Sequence, residues 1–338
     1  MVNVQTVLGP VDSSQLGRTL MHEHVRISWH GWKEDSTVTF DRPGALSRAI
    51  DQLSELYALG IRSFVDPCPI DLGRDVEFLA EVSAGSGVNI ICATGLYAEE
   101  HGFPPYFRMR SIEELTEIYL HELQNGVGAT GISPGIIKCA TGAEHVGQHE
   151  EKALRAAARA QLVTGVPIVT HTSAGKFGPE QLDIFESEGV SPSSCLIGHC
   201  GVNSDIKYHL ALLRRGCTVG FDQIDLPFLQ DDEVHLALVS SLIHLGWSGQ
   251  IVLSHDNVSC YPGRFINLPA EVLEMVERRT FTNVITTFIP ALIERFAVTT
   301  DIADAFLLEN PRRIFEHAAA NARNGVSPAT VPIPGTVA

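Results

Sequence analysis

Two histidines separated by one residue, His22 and His24, are the first candidate metal ligands in this sequence. Side chains on an extended strand alternate between its two faces, so residues i and i+2 project to the same side. One strand end would therefore offer two imidazoles, which are common ligands of transition metals, to a single cation. The pair alone is a weak signal of a metal site, because two histidines that lie at a strand end without binding metal would show the same spacing. Its meaning depends on the ligands that the later part of the chain supplies.

Further candidate ligands stand at or just after the ends of apolar, strand-like runs. They are Lys138, His171, His199 and Asp256. Imidazole and carboxylate ligands together suit zinc, cobalt, manganese or iron, whereas calcium prefers oxygen ligands throughout. These residues and the two earlier histidines therefore form one candidate set for a transition-metal centre.

Lys138 is the unusual member of this set, because an ammonium group beside bound dications would be repelled and burying it without a partner is costly. Two interpretations resolve the conflict. In the first, the lysine lies outside the site and forms a buried ion pair. In the second, CO₂ carboxylates Nζ and turns it into an anionic ligand that bridges two metal ions, which two-metal hydrolases hold about 4 Å apart.

The elements that would position these residues alternate between short apolar strands and amphipathic helices. The predicted core strands are 16–21, 61–66, 88–93, 132–138, 166–171, 195–199, 217–221 and 251–254. The predicted helices are 43–59, 75–84, 111–125, 150–164, 179–188, 206–215, 231–245, 281–296 and 300–309. Eight such units with nearly continuous apolar strands favour a parallel sheet that closes into a barrel, whose strand ends meet at one mouth. An open doubly wound sheet is the alternative, but its Gly-x-Gly-x-x-Gly nucleotide motif is missing after the early strands.

Composition and charge narrow the class of protein. The 338 residues include 24 basic and 40 acidic side chains, a net charge of −16, which argues against nucleic acid or an anionic membrane as a partner. The N-terminus lacks a secretory signal, the chain lacks an 18-residue apolar stretch, and its seven cysteines lie mostly in or beside apolar strand-like runs, so we expect a cytoplasmic protein with reduced thiols. We expect one domain over 1–317, followed by a flexible tail over 318–338.

Five segments of the sequence resemble the phosphotriesterase family of the amidohydrolase superfamily, and within it the phosphotriesterase-like lactonases most closely. They are 20–24 (LMHEH), 135–141 (GIIKCAT), 170–172 (THT), 197–201 (IGHCG) and 253–256 (LSHD). The resemblance runs from about residue 7 to residue 315 and implies a single (β/α)₈ TIM barrel with its metal site at the C-terminal mouth of the strands.

The same resemblance implies two divalent metal ions, with zinc favoured over cobalt, manganese or iron. His22, His24 and Asp256 would hold the more buried ion, and His171 and His199 the outer one. Carboxylated Lys138 and a hydroxide would bridge the two ions. Asp256 would orient the hydroxide and act as general base or acid. A homodimer is a further expectation from the family.

The resemblance also marks residues that would contact a small-molecule substrate. Tyr97 matches the tyrosine that lactonases place near the outer metal, although an aromatic residue packing the lip of the mouth is an alternative. Gln223 follows Gly-x-Asp at a position where lactonases usually have arginine and true phosphotriesterases have histidine. The loop 257–268 supplies two further expected substrate contacts, Tyr261 and Phe265. Its apolar residues Phe265, Ile266 and Leu268 would make an apolar entrance or simply pack the loop against the barrel.

Together these features predict a binuclear-metal hydrolase whose metal-bridging hydroxide attacks a lactone or carboxylic ester carbonyl, with weak phosphotriesterase side activity. Two alternatives remain at this point. One keeps the metals and moves the scissile bond to a phosphotriester, amide or carbamate. The other is a metal-stabilised barrel that acts as a binding protein without catalysis.

Overall fold

The computed structural model describes residues 2–264 and 269–322. Its strands are β1 (Asn3–Thr6), β2 (Gly9–Asp12), β3 (Arg18–Leu20), β4 (His24–Arg26), β5 (Ile61–Asp66), β6 (Asn89–Gly95), β7 (Ile136–Thr141), β8 (Ile168–Thr172), β9 (Cys195–Ile197), β10 (Thr218–Phe221), β11 (Ile251–Leu253) and β12 (Val258–Cys260). Its α-helices are α1 (Arg42–Ala58), α2 (Val76–Ser86), α3 (Pro105–Arg108), α4 (Ile112–Asn125), α5 (Gln148–Thr164), α6 (Gly178–Glu188), α7 (Ile206–Arg215), α8 (Asp232–His244), α9 (Ala270–Arg278), α10 (Ile289–Phe296), α11 (Thr300–Ala305) and α12 (Glu309–Ala320).

Local sequence signals set the ends of several helices. The side chain of Ser111 accepts a hydrogen bond from the backbone N–H of Glu114, and the Glu114 side chain accepts one from the backbone of Ser111. This reciprocal capping box satisfies donors that would otherwise be orphaned in the first turn of α4. Helix α5 ends at Gly165, whose positive φ of 72° places it in the left-handed region that glycine adopts without strain.

The main sheet contains eight parallel strands in the order β11-β10-β9-β8-β7-β6-β5-β3. Its two end strands meet through a seam in which His22 donates its backbone N–H to Ser254 Oγ at 3.0 Å and Asp256 donates its own to the His22 carbonyl at 3.1 Å. Just above, β4 pairs in parallel with β12. The sheet therefore closes into the predicted TIM barrel, which the helices surround.

Two apolar layers hold the barrel together. The outer layer packs helices against the outer faces of the strands. The inner layer consists of buried side chains inside the barrel, including Val65, Ile91 and Val169, and it extends to Ile314 and Phe315 of α12. Burying these side chains removes apolar surface from water, which is the main favourable contribution to folding.

The boundaries differ from the sequence prediction in several places, for example at α3 and α12, which were not predicted, and at α11, which ends at Ala305. The predicted fourth strand, 132–138, lies at Ile136–Thr141, because Ile132 instead accepts a hydrogen bond from the Val127 N–H in a turn. Lys138 therefore lies within β7 and not at its end. Helix α9 has no counterpart in the prediction, which assigned no element between the loop 257–268 and the helix 281–296.

The ends of the chain add two observations. Helix α12 continues to Ala320, past the predicted start of the tail, and residues 323–338 lie outside the described residues, so the flexible tail stays a prediction. None of the helices in the described part of the chain combines the length and apolar character needed to cross a membrane.

Candidate metal centre

His22 and His24 reach the mouth of the barrel by a different local path from the one predicted. Strand β3 ends at Leu20, the chain bends through 21–23, and His24 opens β4, so the two residues do not share a continuous strand. Their ring centroids nevertheless lie 5.5 Å apart, with the ring planes inclined at 69°. The bend brings both imidazoles to the seam, where the last strand supplies Asp256.

The carboxylate of Asp256 is central to the cluster. Its Oδ1 lies 3.2 Å from His24 Nε2 and 3.7 Å from His22 Nε2, and its Oδ2 lies 3.8 Å from His199 Nε2. The ligand atoms of His22, His199 and Asp256 all lie within 4.8 Å of one another. The His171 ring adjoins this group, with its centroid 4.4 Å from that of His199.

A buried carboxylate fixes the outward nitrogens of two histidines at once. Asp222, which is fully buried, lies 2.7 Å from His22 Nδ1 and 3.0 Å from His199 Nδ1. Since an ionised carboxylate can only accept, both Nδ1 atoms donate their protons to it, and both Nε2 atoms present lone pairs to the cavity. Metal-binding histidines are commonly oriented in this way. His24 lies near a third buried carboxylate, that of Asp66, whose Oδ1 is 3.4 Å from His24 Nδ1, but the Nδ1 forms no hydrogen bond within the described residues.

His171 uses the opposite nitrogen. Its Nε2 lies 3.0 Å from Ser173 Oγ, and that hydroxyl donates to Glu100. Because the hydroxyl proton goes to Glu100, Ser173 accepts the proton of His171 Nε2, so Nδ1 is left with its lone pair. The Tyr97 hydroxyl lies 3.3 Å from that Nδ1.

Two of the predicted ligands lie in the left-handed backbone region, with φ of 58° at His199 and 53° at Asp256. This conformation is costly for residues other than glycine and persists where the surroundings enforce it. The backbone N–H of His199 donates to Asp222 Oδ1 at 2.7 Å, and that of Asp256 donates to the His22 carbonyl at 3.1 Å. These bonds turn both side chains into the mouth directly after strands β9 and β11.

Lys138 is buried in the same cavity, with Nζ 3.2 Å from His22 Nε2. Among the described residues, it forms no ion pair with a carboxylate. The structure thus places Lys138 inside the candidate site, against the interpretation that it forms a buried ion pair elsewhere.

Burial and neighbouring charges set the protonation of the cluster. Burial lowers the pKa of His22 to about 3, and burial together with the adjacent His199 lowers that of His171 well below its usual value. Burial also lowers the pKa of Lys138 to about 8. Burial opposes ionisation of Asp256, but the surrounding histidines outweigh it and hold the pKa of that carboxyl well below its usual value. His22 and His171 are therefore neutral and Asp256 is anionic, as metal coordination requires.

The cluster forms the floor of a cavity of about 220 Å³ at the mouth of the barrel. Three of the predicted substrate-contacting residues, Tyr97, Gln223 and Tyr261, line it. Gln223 donates from Nε2 to Asp256 Oδ2 at 3.0 Å. Phe265, the fourth, lies outside the described residues. The remaining walls are mostly apolar and include Leu72, Leu226 and Val258.

Several supporting residues were missed by sequence reasoning. Asp222 and Asp66 each end or follow a strand, as the ligands do, so their position was a usable signal. Ser173 and Glu100 lie on separate loops, 73 residues apart, and nothing in the sequence connects them. Their pairing depends on the folded barrel alone.

The donor set fits two divalent transition metals. His22 and His199 present Nε2 lone pairs, His171 presents its Nδ1 lone pair, and the outward nitrogens of these three rings already have partners. The Asp256 carboxylate is anionic and lies 3.2 Å from His24 Nε2, and the hydrogen bond to it helps to raise the pKa of His24, so that ring must lose a proton before it binds a metal. A second group of close candidate ligands, His24 with Asp66 and Cys68, has its ligand atoms within 4.8 Å of one another, with Asp66 Oδ1 3.4 Å from His24 Nδ1.

Comparisons with known proteins identify relatives of this chain in sequence and in fold. A model of the phosphotriesterase family matches residues 2–315. The chain is 35% identical over 325 residues to a phosphotriesterase homology protein of Mycobacterium tuberculosis, an alignment that covers 94% of this chain and 98% of that one. It is 30% identical over 306 residues to an aryldialkylphosphatase of Saccharolobus solfataricus, covering 90% and 96%. The solved structure of a mutant PTE-like lactonase from Deinococcus radiodurans superimposes with a TM-score of 0.88 at 36% identity, covering 92% of this chain and 99% of that one. The chain belongs to the phosphotriesterase family.

Proposed function

We propose that this protein is a binuclear-metal hydrolase that cleaves a lactone or carboxylic ester, with weak phosphotriesterase activity as a side reaction. The observation that supports the proposal most strongly is the convergence of His22, His199 and Asp256 within 4.8 Å, with both histidines oriented by Asp222. The family match and the lactonase-like fold support the hydrolase class.

Six side chains would hold the metals. They are His22, His24, Lys138, His171, His199 and Asp256. When bound, two divalent cations, zinc in our proposal, lower the pKa of water to near neutrality and polarise the scissile carbonyl. Lys138 would take part as a carbamate formed with CO₂, which explains why a lysine without a carboxylate partner is buried among imidazoles.

Asp256 is placed to move a proton during the reaction. Its carboxylate is anionic, lies on the cavity floor and is held by the Gln223 amide. It can accept a proton from attacking water and return it to the leaving oxygen. Gln223 itself has no titratable proton, so it holds the carboxylate in place and takes no part in the proton transfer.

Tyr97 would position the substrate carbonyl. Burial raises the pKa of its phenol, so the hydroxyl keeps its proton at neutral pH and can donate a hydrogen bond. That hydroxyl points at His171, 3.3 Å from Nδ1. A substrate oxygen near the outer metal would meet the same donor.

Phosphotriester hydrolysis as the main activity is the second candidate, favoured by the similarity to the aryldialkylphosphatase of Saccharolobus solfataricus. Comparing kcat/KM for a long-chain lactone and for a diethyl aryl phosphate separates the two. We expect the lactone to be the better substrate. A phosphotriester preference would reverse the assignment.

The decisive experiment measures metal content per chain by elemental analysis in the wild type and in Lys138→Ala, together with hydrolysis of the lactone. We expect about two metals per chain in the wild type, with metal content and activity both lower in the variant. Lys207→Ala, which removes an exposed lysine on α7, is the matched control and should keep both.

One metal or none in the wild type, with Lys138→Ala fully active, would contradict the bridged centre. A protein that binds two metals but hydrolyses no ester, phosphotriester, amide or carbamate would favour the binding-protein alternative. The homodimer and the cytoplasmic location stay predictions.

A further inference from the structure

Arg279 lies at the edge of the candidate active-site cavity, directly after α9. It is 8% exposed, and it lines the cavity together with Gln223 and Asp256. No motif in the sequence pointed to it.

The hydrogen bonds of this guanidinium go to neutral acceptors. One terminal nitrogen donates to the Asp256 carbonyl at 3.4 Å, and the other donates to the carbonyls of Ile224, at 3.1 Å, and of His255. Its Nε is buried without a hydrogen-bond partner in the described part of the chain. The positive charge therefore faces backbone dipoles and has no carboxylate within hydrogen-bond reach among residues 2–264 and 269–322.

The other buried arginines are different. Arg26 pairs with Asp75, and Arg159 pairs with Glu188 at 2.9 Å. Buried charges in proteins are ordinarily paired in this way, because an unpaired one loses its hydration without compensation. The carboxylates of Asp256, Glu23 and Asp225 act on Arg279 only from beyond hydrogen-bond distance, and the Asp256 carboxylate, on the cavity floor, acts most strongly. A buried cation of this kind at a binding cavity can be balanced by an anion on the ligand.

The walls around Arg279 limit what else the ligand can contain. Val276, Leu226 and Leu229 present aliphatic side chains, and Gln223 beside them is uncharged. A cavity of about 220 Å³ with such walls accepts a short apolar segment. The ligand that suits both features is a small amphipathic molecule with one acidic end.

We propose that Arg279 binds an anionic group of the substrate, so that the preferred substrates are small esters, lactones or amides bearing one carboxylate or sulfonate. The inference rests on the proposed hydrolase function. It adds that the acidic group lies toward the α9 side of the cavity, while the scissile carbonyl lies over the predicted metal ligands. An arginine fork suits carboxylate and sulfonate oxygens better than a lysine ammonium does.

The test compares two chromogenic esters of equal chain length, 4-nitrophenyl valerate and mono-4-nitrophenyl glutarate, which differ only by a terminal carboxylate. With metal-loaded wild type, kcat/KM should be higher for the glutarate ester. Arg279→Met, which removes the charge and keeps the length, should lower kcat/KM for the glutarate ester by roughly 10- to 100-fold and leave the valerate ester within a few-fold. Arg279→Lys should restore part of the preference.

Arg278→Met is the matched control. Arg278 is the neighbouring residue, it is exposed, and it pairs with Glu274 on the same helix. The variant removes the same charge from the same region, so an effect of general electrostatic steering would appear in it too. The proposal requires Arg278→Met to keep the wild-type preference.

If Arg279→Met lowers kcat/KM equally for both esters, the residue only holds the carbonyls of Ile224, His255 and Asp256 in place, and the proposal is overturned. A wild-type preference for the valerate ester would do the same. If neither ester is hydrolysed and the lactone is not hydrolysed either, the proposed function fails, and calorimetry with levulinate still tests Arg279. Binding that is lost in Arg279→Met and kept in Arg278→Met would support the anion site, whereas equal binding to all three proteins would refute it.

Discussion

Asp222 contacts two predicted metal ligands at once, and this makes it the most consequential supporting residue of the centre. One oxygen accepts from His22 Nδ1, and the other accepts from both the ring and the backbone N–H of His199. Each ring is thereby held in the tautomer that leaves Nε2 free for a metal. The Gly-x-Asp motif was visible in the sequence, but its shared role depends on two strands lying side by side.

We predict that Asp222→Asn weakens metal binding by roughly 10- to 100-fold. The amide keeps the size of the carboxylate but has one acceptor oxygen, so it cannot accept from both rings. Competition with a chromogenic chelator measures the affinity. Asp183→Asn, at an exposed position on α6, controls for the lost charge, and equal affinities in both variants would contradict the orienting role.

The carboxyl of Asp71, which is not a predicted metal ligand, should make the free energy of unfolding depend on pH. This carboxyl is 9% exposed and accepts the backbone N–H of Tyr97 at 3.0 and 3.2 Å. Burial raises its pKa to about 7, although that hydrogen bond and the charge of Arg74 oppose the change. In the unfolded chain an aspartate ionises near pH 4, so between about pH 4 and pH 7 the folded state binds a proton that the unfolded state does not.

The free energy of unfolding should therefore fall as pH rises through this window, by roughly 1 kcal/mol per pH unit from this group. Asp71→Asn removes the effect and keeps an acceptor for Tyr97. Urea unfolding at pH 5, 6, 7 and 8 should show the wild type losing stability relative to Asp71→Asn. The exposed Asp51→Asn is the control, and parallel curves for wild type and Asp71→Asn would disprove the prediction.

At the scale of elements, hydrophobic periodicity predicted the alternation of strands and helices well. It placed β5 at its observed bounds and most helices within a few residues. It failed where tertiary contacts decide. The apolar Ile132 looked like a strand residue but lies in a turn, and the bend at 21–23 breaks a pattern that looked like one strand. Helix α9 was missed although the signal was present, since Val272, Leu273 and Val276 follow one another at helical spacing and form its half-buried face.

The end of α10 offers a test of local conformation. Ala297 follows the helix with φ of 54°, in the left-handed region, and its side chain is exposed. We predict that Ala297→Gly raises the free energy of unfolding by about 0.5–1 kcal/mol, because glycine relieves the strain at this position. Ala291→Gly, inside the same helix, should lower it by about 1 kcal/mol. Chemical denaturation measures both, and two changes of the same sign would contradict the argument.

At the scale of the whole molecule, three of the six predicted ligands, His22, His24 and Asp256, meet at one seam. Glu23 is fully buried there and accepts hydrogen bonds from His255 Nδ1 at 2.6 Å, from the His255 N–H at 2.7 Å and from the Asn257 N–H at 3.0 Å. His255 Nε2 in turn accepts the Val284 N–H at 2.8 Å. The glutamate thus joins the exit of the first core strand to the exit of the last. The sequence showed both motifs but not that they interact.

We predict that Glu23→Ala lowers the free energy of unfolding by about 3–5 kcal/mol, because it leaves three buried donors without an acceptor. Glu23→Gln keeps the shape and one acceptor oxygen, so it should cost less. Thermal and urea unfolding of the metal-loaded proteins measure both. The control is Glu55→Ala on the exposed face of α1, and a loss as small as the control's would argue against the seam as a source of stability.

The seam also sets the order of events during synthesis. Proteins emerge from the ribosome N-terminus first, and contacts between distant segments form late. His22 donates its backbone N–H to Ser254, which lies 232 residues further along the chain. His22 and His24 therefore leave the ribosome long before Asp256 has been made, and they have no barrel mouth to line until the last strand docks. Acquisition of metal by the complete centre would follow closure of the barrel, so that a loaded protein is also a fully folded one.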